Sequence, residues 1–203
     1  IVMMENVPGL ASRGKDKLNT FVNKLETLGY EVNYKILQMA DYGVPQSRKR
    51  LVLLAGKGFS VPLPSPTHSC KNNKKQTKLK PWLTLSDAIK DMPRPVTLSH
   101  AMKKDNGPQK YNWHVVGDLT ETSKKRLKAI RAGQNRRALP IDLRPDCHKT
   151  SNKGFINVYG RLSWKDTPPT ITRGCTRPSM GRYGHPRQLR TISVSEAALI
   201  QTF

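Results

Sequence analysis

Acidic residues are scarce in this chain. Fourteen aspartates and glutamates stand against 36 lysines and arginines, giving a formal net charge of +22. So large an excess points first to a polyanionic partner, nucleic acid above all, and is high for a basic surface that is merely solvated. Cysteine is also sparse. Cys70, Cys147 and Cys175 are odd in number and widely scattered, which suits free thiols in a reducing compartment rather than a disulfide-stapled scaffold. His68 with Cys70, the adjacent Cys147-His148, and Cys175 with His185 all lack Cys-x-x-Cys or His-x-x-x-His spacing, so no metal site is expected. No apolar run is long enough to span a bilayer and no signal peptide is visible, which argues against an integral membrane protein.

What the chain does have is an arginine-rich turn, Tyr42-Gly-Val-Pro-Gln-Ser-Arg-Lys-Arg50, running directly into the apolar Leu51-Val-Leu-Leu-Ala55. A short apolar run bounded by turn signals reads as a buried strand. In an extended chain, residues two apart point the same way. Gln46, Arg48 and Arg50 are therefore expected to line one face at the mouth of that strand. Neighbouring guanidiniums repel, so presenting them together suits an anionic or acceptor-rich partner. A basic edge leading into a core strand is the plainer alternative, and these nine residues alone do not separate the two. At the start of the chain, Ile1-Val-Met-Met4 leads into Glu5-Asn6-Val7-Pro8-Gly9, again a buried strand, here delivering a carboxylate and an amide to the end where open α/β sheets bind ligands.

Between these two strands, Leu18, Phe21, Val22, Leu25 and Leu28 recur at helical steps over residues 10–28, with Gly29 at the position of a C-terminal cap. Tyr30 to Leu37 alternates as a half-buried strand does. Residues 1–58 thus read as strand, helix, strand, turn, strand, an incomplete α/β unit. Beyond Gly58 the character changes. Pro62, Pro64 and Pro66 break regular structure, and Lys71 to Lys80 is rich in lysine, a solvated loop or a phosphate contact such as Lys74. Thr84-x-x-Asp87 has capping-box spacing ahead of a short helix, Ala88–Met92. A basic helix is expected over 122–132. Short strands are expected at Phe155–Tyr159 and Thr170–Thr172, then an arginine-bearing glycine-rich loop, 173–186. Ser193-x-x-Glu196 opens a last helix, Glu196–Gln201.

Three ordered segments carry a resemblance: Glu5-Asn6-Val7, then Gln46-x-Arg48-x-Arg50, then Arg190-Thr-Ile-Ser-Val-Ser-Glu196 to Phe203. Together they resemble the DNA (cytosine-5-)-methyltransferases, the bacterial modification methylases in particular. Tyr159-Gly-Arg161-Leu-Ser-Trp164, Thr170-Ile171 and Gly184-His-Pro186 add to the likeness. The resemblance implies the trailing half of a Rossmann-like sheet (1–58), an irregular, mostly-β target recognition domain (59–189) and a helix returning to the catalytic domain (190–203). It implies an enzyme that adds a cysteine to carbon 6 of a flipped cytosine in double-stranded DNA and methylates carbon 5 from S-adenosylmethionine. Glu5 would sit at N3, Arg50 with Arg48 nearby would bind O2, and Asn6 would orient the loop after the strand. Gln46, Arg161, Thr170, Arg173, Arg177, Arg182 and Arg190 are the candidate DNA-binding residues, with Arg190 also helping to hold the two domains together.

The departures are specific. The family's cofactor strand, its glycine-rich turn and its Pro-Cys nucleophile loop precede the Glu-Asn-Val segment and have no counterpart here, and none of the three cysteines has the nucleophile's setting. Ser195 stands where an arginine is usual. An excised piece is therefore expected, inactive alone, with a missing N-terminal portion as partner and a bacterial, cytoplasmic, nucleoid-associated setting. Three other readings compete with this one: a DNA-binding subunit of a split methyltransferase, an RNA-directed relative, and a basic scaffold unrelated to enzymes.

Overall fold

A computed structural model describes residues 1–70, 78–103, 107–149 and 155–203. They form two compact units, Ile1–Trp82 and Leu83–Phe203. The first is organised on a three-stranded sheet. β1 (Val2–Asn6) leads through a 3-10 turn (Pro8–Ala11) into helix α1 (Lys15–Thr27), which returns to β2 (Tyr30–Gln38). β3 (Lys49–Lys57) then inserts between them, antiparallel to both, in the order β1-β3-β2. The reversal that admits β3 turns at Gly43, whose φ of +83° is left-handed; a Cβ there would also lie 2.9 Å from the His68 ring.

Residue alternation explains the core. Leu51, Leu53 and Ala55 point to one face of β3 and are fully buried against Leu18, Val22 and Leu25 of α1, with Val2, Met4 and Val32 beside them. Phe21 and Leu28, expected on that helical stripe, lie at its margin and are exposed. The segment after β3, assigned by composition to the second half, packs on the first unit. Asn33 donates to Ser60 Oγ and Val61 O, Tyr42 Oη donates to Pro64 O, and Trp82 Nε1 donates to Asp41 Oδ1 at 2.8 Å. Short parallel strands β4 (His68–Ser69) and β5 (Lys80–Pro81) complete it. The proposed phosphate contact Lys74 lies outside the described residues.

The second unit holds α2 (Leu85–Ile89), β6 (Val96–Thr97), α3 (Leu98–Met102), β7 (Val115–Val116), α4 (Glu121–Lys128) and α5 (Val194–Leu199). Its core joins Leu85, Ile89, Leu162, Ile171, Tyr183, Ile192, Ala197 and Ile200. Both capping boxes form: Thr84 with Asp87 starts α2, and Ser193 with Glu196 starts α5. The expected mostly-β character is not what this unit adopts. Phe155–Tyr159 is a turn, Thr170–Thr172 is irregular, and the pairing nearby consists of isolated bridges, Arg161 to Gly184 and Gly184 to Thr191. Proline, glycine and a left-handed Tyr159 (φ +58°) interrupt any ladder. Backbone carbonyls are instead satisfied by guanidiniums: Arg126 donates to Leu143 O, Arg136 to Phe155 O, Arg144 to Leu139 O and Arg161 to Leu127 O.

Leu53→Ala should lower stability in chemical denaturation by about 2–5 kcal/mol, since it empties the tightest part of the α1–sheet contact. Phe21→Ala, at the exposed margin, should cost clearly less.

Candidate functional site

The alternation that buries Leu51 and Leu53 turns Arg50 to the opposite face of the sheet. Glu5 pairs with Val52 and Asn6 with Leu51 in the β1–β3 register, so Glu5 shares that face and lies one step from Arg50. The two side chains meet: Arg50 Nε lies 2.6 Å from Glu5 Oε1. Arg50 is mostly covered, at 17% side-chain exposure, and Glu5 is open at 57%, so the pair presents a carboxylate to an incoming group while its cation stays fixed beneath. Arg50 Nη1 also donates to Lys49 O at 2.8 Å, which limits the guanidinium's freedom. Asn6 works on the backbone. Its Oδ1 accepts from the N–H of the next residue, Val7, at 2.8 Å, where the chain leaves β1.

Arg48 belongs to the same cluster. Burial lowers its pKa below the usual guanidinium value, the Arg50 charge adds to this, and Glu5 opposes both. Gln46 departs from the expected face. It is completely buried, and neither its Nε2 nor its Oε1 has a partner among the described residues. The period-two argument fails for it because β3 begins at Lys49, leaving Gln46 in the preceding bend. From that position it has no surface to offer a duplex.

The arginines of the second unit fall into distinct settings. Arg161 is buried, with Nε on Leu127 O and Nη1 on the carbonyls of His185 and Pro186; burial lowers its pKa. Arg190 is buried and bidentate to Glu196, with both N–O distances at 2.7 Å, and it also bonds Gln188 Oε1 and Thr191 O. Both were expected to contact DNA. Arg161 Nε and Nη1 and all the Arg190 nitrogens are instead bonded inside the unit, which these side chains hold together. Thr170 is half-buried, while Arg173 and Arg177 are exposed. Arg182 is half-buried with Nη2 on Asn157 Oδ1 at 2.8 Å.

The sequence alone did not single out Glu196 and His185 as a buried electrostatic pair. For Glu196, burial alone would raise the carboxyl pKa, but the Arg190 hydrogen bond and charge, with the Ser193 N–H, hold it below the usual range. The capping-box spacing was its visible signal; the arginine six residues earlier was not read with it. His185 stacks edge-on against Trp164 at 5.2 Å, and its Nδ1 accepts from the N–H groups of Arg187 and Gln188. Burial, then the Arg190 charge, push its pKa from 6.5 down to about 4, so the ring is neutral near pH 7. A cavity of about 580 Å³ also lies in this unit, lined by Met92, Tyr111, His114, Leu199 and Phe203 with Arg94 and Lys110.

A model of the family described as C-5 cytosine-specific DNA methylase matches residues 1–203. The Type II methylase M.HgiDII of Herpetosiphon aurantiacus is 35% identical over 100% of this chain and 53% of its own length. The Type II methyltransferase M1.BsuMI of Bacillus subtilis (strain 168) is 32% identical over 100% of this chain and 42% of its own. This chain therefore spans about half the length of the curated relatives it matches. Among solved structures, a chain described as a DNA modification methyltransferase encoded within an E. coli prophage superimposes with a TM-score of 0.57. That match covers 98% of this chain and 57% of the other at 17% identity, a likeness of fold.

Arg190→Ala should destabilise the second unit by about 3–5 kcal/mol in denaturant unfolding, because it strands the buried Glu196 carboxylate; a residue that only touched DNA would leave unfolding unchanged. A second expectation concerns acid. His185 and Glu196 both have depressed folded pKa values, so the unfolded chain takes up protons first as the pH falls. Stability is fully present above pH 6.5 for His185 and should decline as the pH drops toward 4. Urea unfolding across that range should show the decline, and His185→Gln should flatten its upper part.

Proposed function

This chain belongs to the C-5 cytosine-specific DNA methylases, and from that premise we propose that it forms part of a DNA cytosine-5 methyltransferase: one rim of the catalytic site and the target recognition domain. The first unit then corresponds to the trailing strands of a Rossmann-like catalytic sheet, and the second to the recognition domain. The complete enzyme methylates carbon 5 of a cytosine flipped out of duplex DNA, in the cytoplasm of a bacterium. The observation that carries this reading is the 2.6 Å contact between Glu5 and Arg50 at the end of β1.

Carbon 5 of cytosine is a weak nucleophile until something adds at carbon 6, and that addition drives negative charge onto the ring. A carboxyl at N3 that shares its proton, and a cation at O2, lower the cost. Glu5 takes the first role. Arg50 takes the second and steers the Glu5 carboxylate through its Nε. Arg48 raises the local positive potential, and Asn6 orients the chain where it leaves β1.

The family uses S-adenosylmethionine, and the described residues do not fit it. The end of β1 presents a charged pair rather than a nucleoside cradle, and the cavity in the second unit has Arg94 and Lys110 in its lining, which repel a sulfonium cation. The cofactor site and the nucleophile are accordingly assigned to residues other than the described ones. On the DNA side, exposed Arg173 and Arg177, with the +22 excess behind them, supply attraction to the phosphate backbone.

In the complete methyltransferase, Glu5→Gln and Arg50→Ala should each reduce methyl transfer to duplex DNA by about 10²–10⁴-fold while leaving duplex binding nearly unchanged. Wild-type turnover in the Glu5→Gln protein would remove Glu5 from the chemistry and the reading with it.

A further inference from the structure

Arg182 differs from every other candidate in the recognition loop. Arg161 and Arg190 spend their guanidiniums inside the unit, and Arg173 and Arg177 are exposed. Arg182 is held at both ends and still open. Its stem passes Gly160 so closely that a Cβ on that glycine would lie 2.8 Å from Arg182 Cγ. Its head is pinned by Asn157 Oδ1 on Nη2, and Asn157 is itself part of a turn closed by Gly160 N–H to Asn157 O and by Tyr159 N–H to Pro178 O. Among the described residues no carboxylate pairs with this cation, and its Nε is buried without a partner. The guanidinium thus arrives oriented, with Nη1 and the remaining Nη2 proton available as a fork and its charge unmatched.

A preformed fork suits a planar pair of acceptors, and the O6 and N7 edge of guanine in the major groove is the base edge with that pattern. A phosphate accepts the same fork, but phosphate contacts carry no sequence information, so base preference separates the two. The neighbouring helix fits a backbone contact. α4 packs on the same segment, with Leu127 O accepting from Arg161 and Leu127 Cδ2 against Gly184, and it carries exposed Lys125 and Lys128.

We infer that Arg182, positioned by Asn157, reads a guanine in the recognition sequence, while α4 lysines contact the flanking phosphates. This rests on the reading of the second unit as a duplex DNA recognition domain. The test is selection from randomised duplex DNA by the full chain, together with the salt dependence of binding. Wild type should retain a sequence with a fixed G·C pair. Arg182→Ala should lose preference at that one position by about 10- to 100-fold and keep the rest. Arg182→Gln should shift it toward adenine, whose N6/N7 edge a glutamine amide matches. Asn157→Ala, which leaves the arginine in place, should keep the same consensus with weaker discrimination, a readout that survives if the Arg182 variants fold poorly. Lys125→Ala should weaken all sequences alike and lower the salt slope by about one. An Arg182→Ala protein with unchanged base preference and a reduced salt slope would make Arg182 a phosphate contact and overturn this inference alone. Failure of the wild-type chain to retain any duplex would overturn the recognition reading as well.

Discussion

β3 lies between two strands that both run against it, and that single topological fact places Arg50 beside Glu5. The residues are far apart in sequence, and neither strand alone would fix a long side chain against another. The register does so: Asn6 opposite Leu51 and Glu5 opposite Val52 leave Arg50 as the next residue on the carboxylate's own face. The same alternation buries Leu51, Leu53 and Ala55 on the other face against α1, so a slip of one residue would cost the core and separate the pair together. Packing energy thereby guards an electrostatic geometry that is itself half open to solvent.

The excess of arginine has two uses, which the structure separates. Part of it is structural. In a unit with little regular strand, guanidiniums satisfy the carbonyls that a ladder would otherwise bind, and the Arg190–Glu196 pair ties the start of α5 to the loop before it. Buried cations of this kind are costly unless paired and hydrogen-bonded: Arg190 has the Glu196 carboxylate, and Arg161 is held by the carbonyls of Leu127, His185 and Pro186. Charge on Arg173, Arg177, Lys125 and Lys128 is exposed, and half-buried Arg182 has no carboxylate partner among the described residues. Net charge alone reports the sum and says nothing of this division.

Much of the first unit was legible because its signals are periodic. The three-four spacing of Leu18, Val22 and Leu25 and the alternation of Tyr30 to Leu37 each reflect a single buried face, and helix and strands form where these patterns run. Gln46 was misread because alternation was extended past the start of the strand into a bend. The second unit was harder. Val and Ile at Phe155–Tyr159 and Thr170–Thr172 suggest strands, yet Tyr159 adopts a left-handed backbone and Asn157 turns to hold Arg182. Those choices are made by residues distant in sequence, and local propensity does not record them. The burial of Arg161 and Arg190 was likewise hidden, since an arginine in a glycine-rich stretch looks the same whether it ends on a carbonyl or in solvent.

A double-mutant cycle on Glu5 and Arg50 tests the centre of this account most directly, reading kcat/KM for methyl transfer by the complete methyltransferase. If the two side chains act as one device on the flipped base, the Glu5→Gln/Arg50→Ala double variant should be about as slow as the worse single variant, so that the coupling energy approaches the smaller single-variant loss, about 2.7 kcal/mol or more for a 10²-fold loss. Losses that simply multiply would mean that the two residues work independently, and the 2.6 Å contact would then be an incidental surface ion pair.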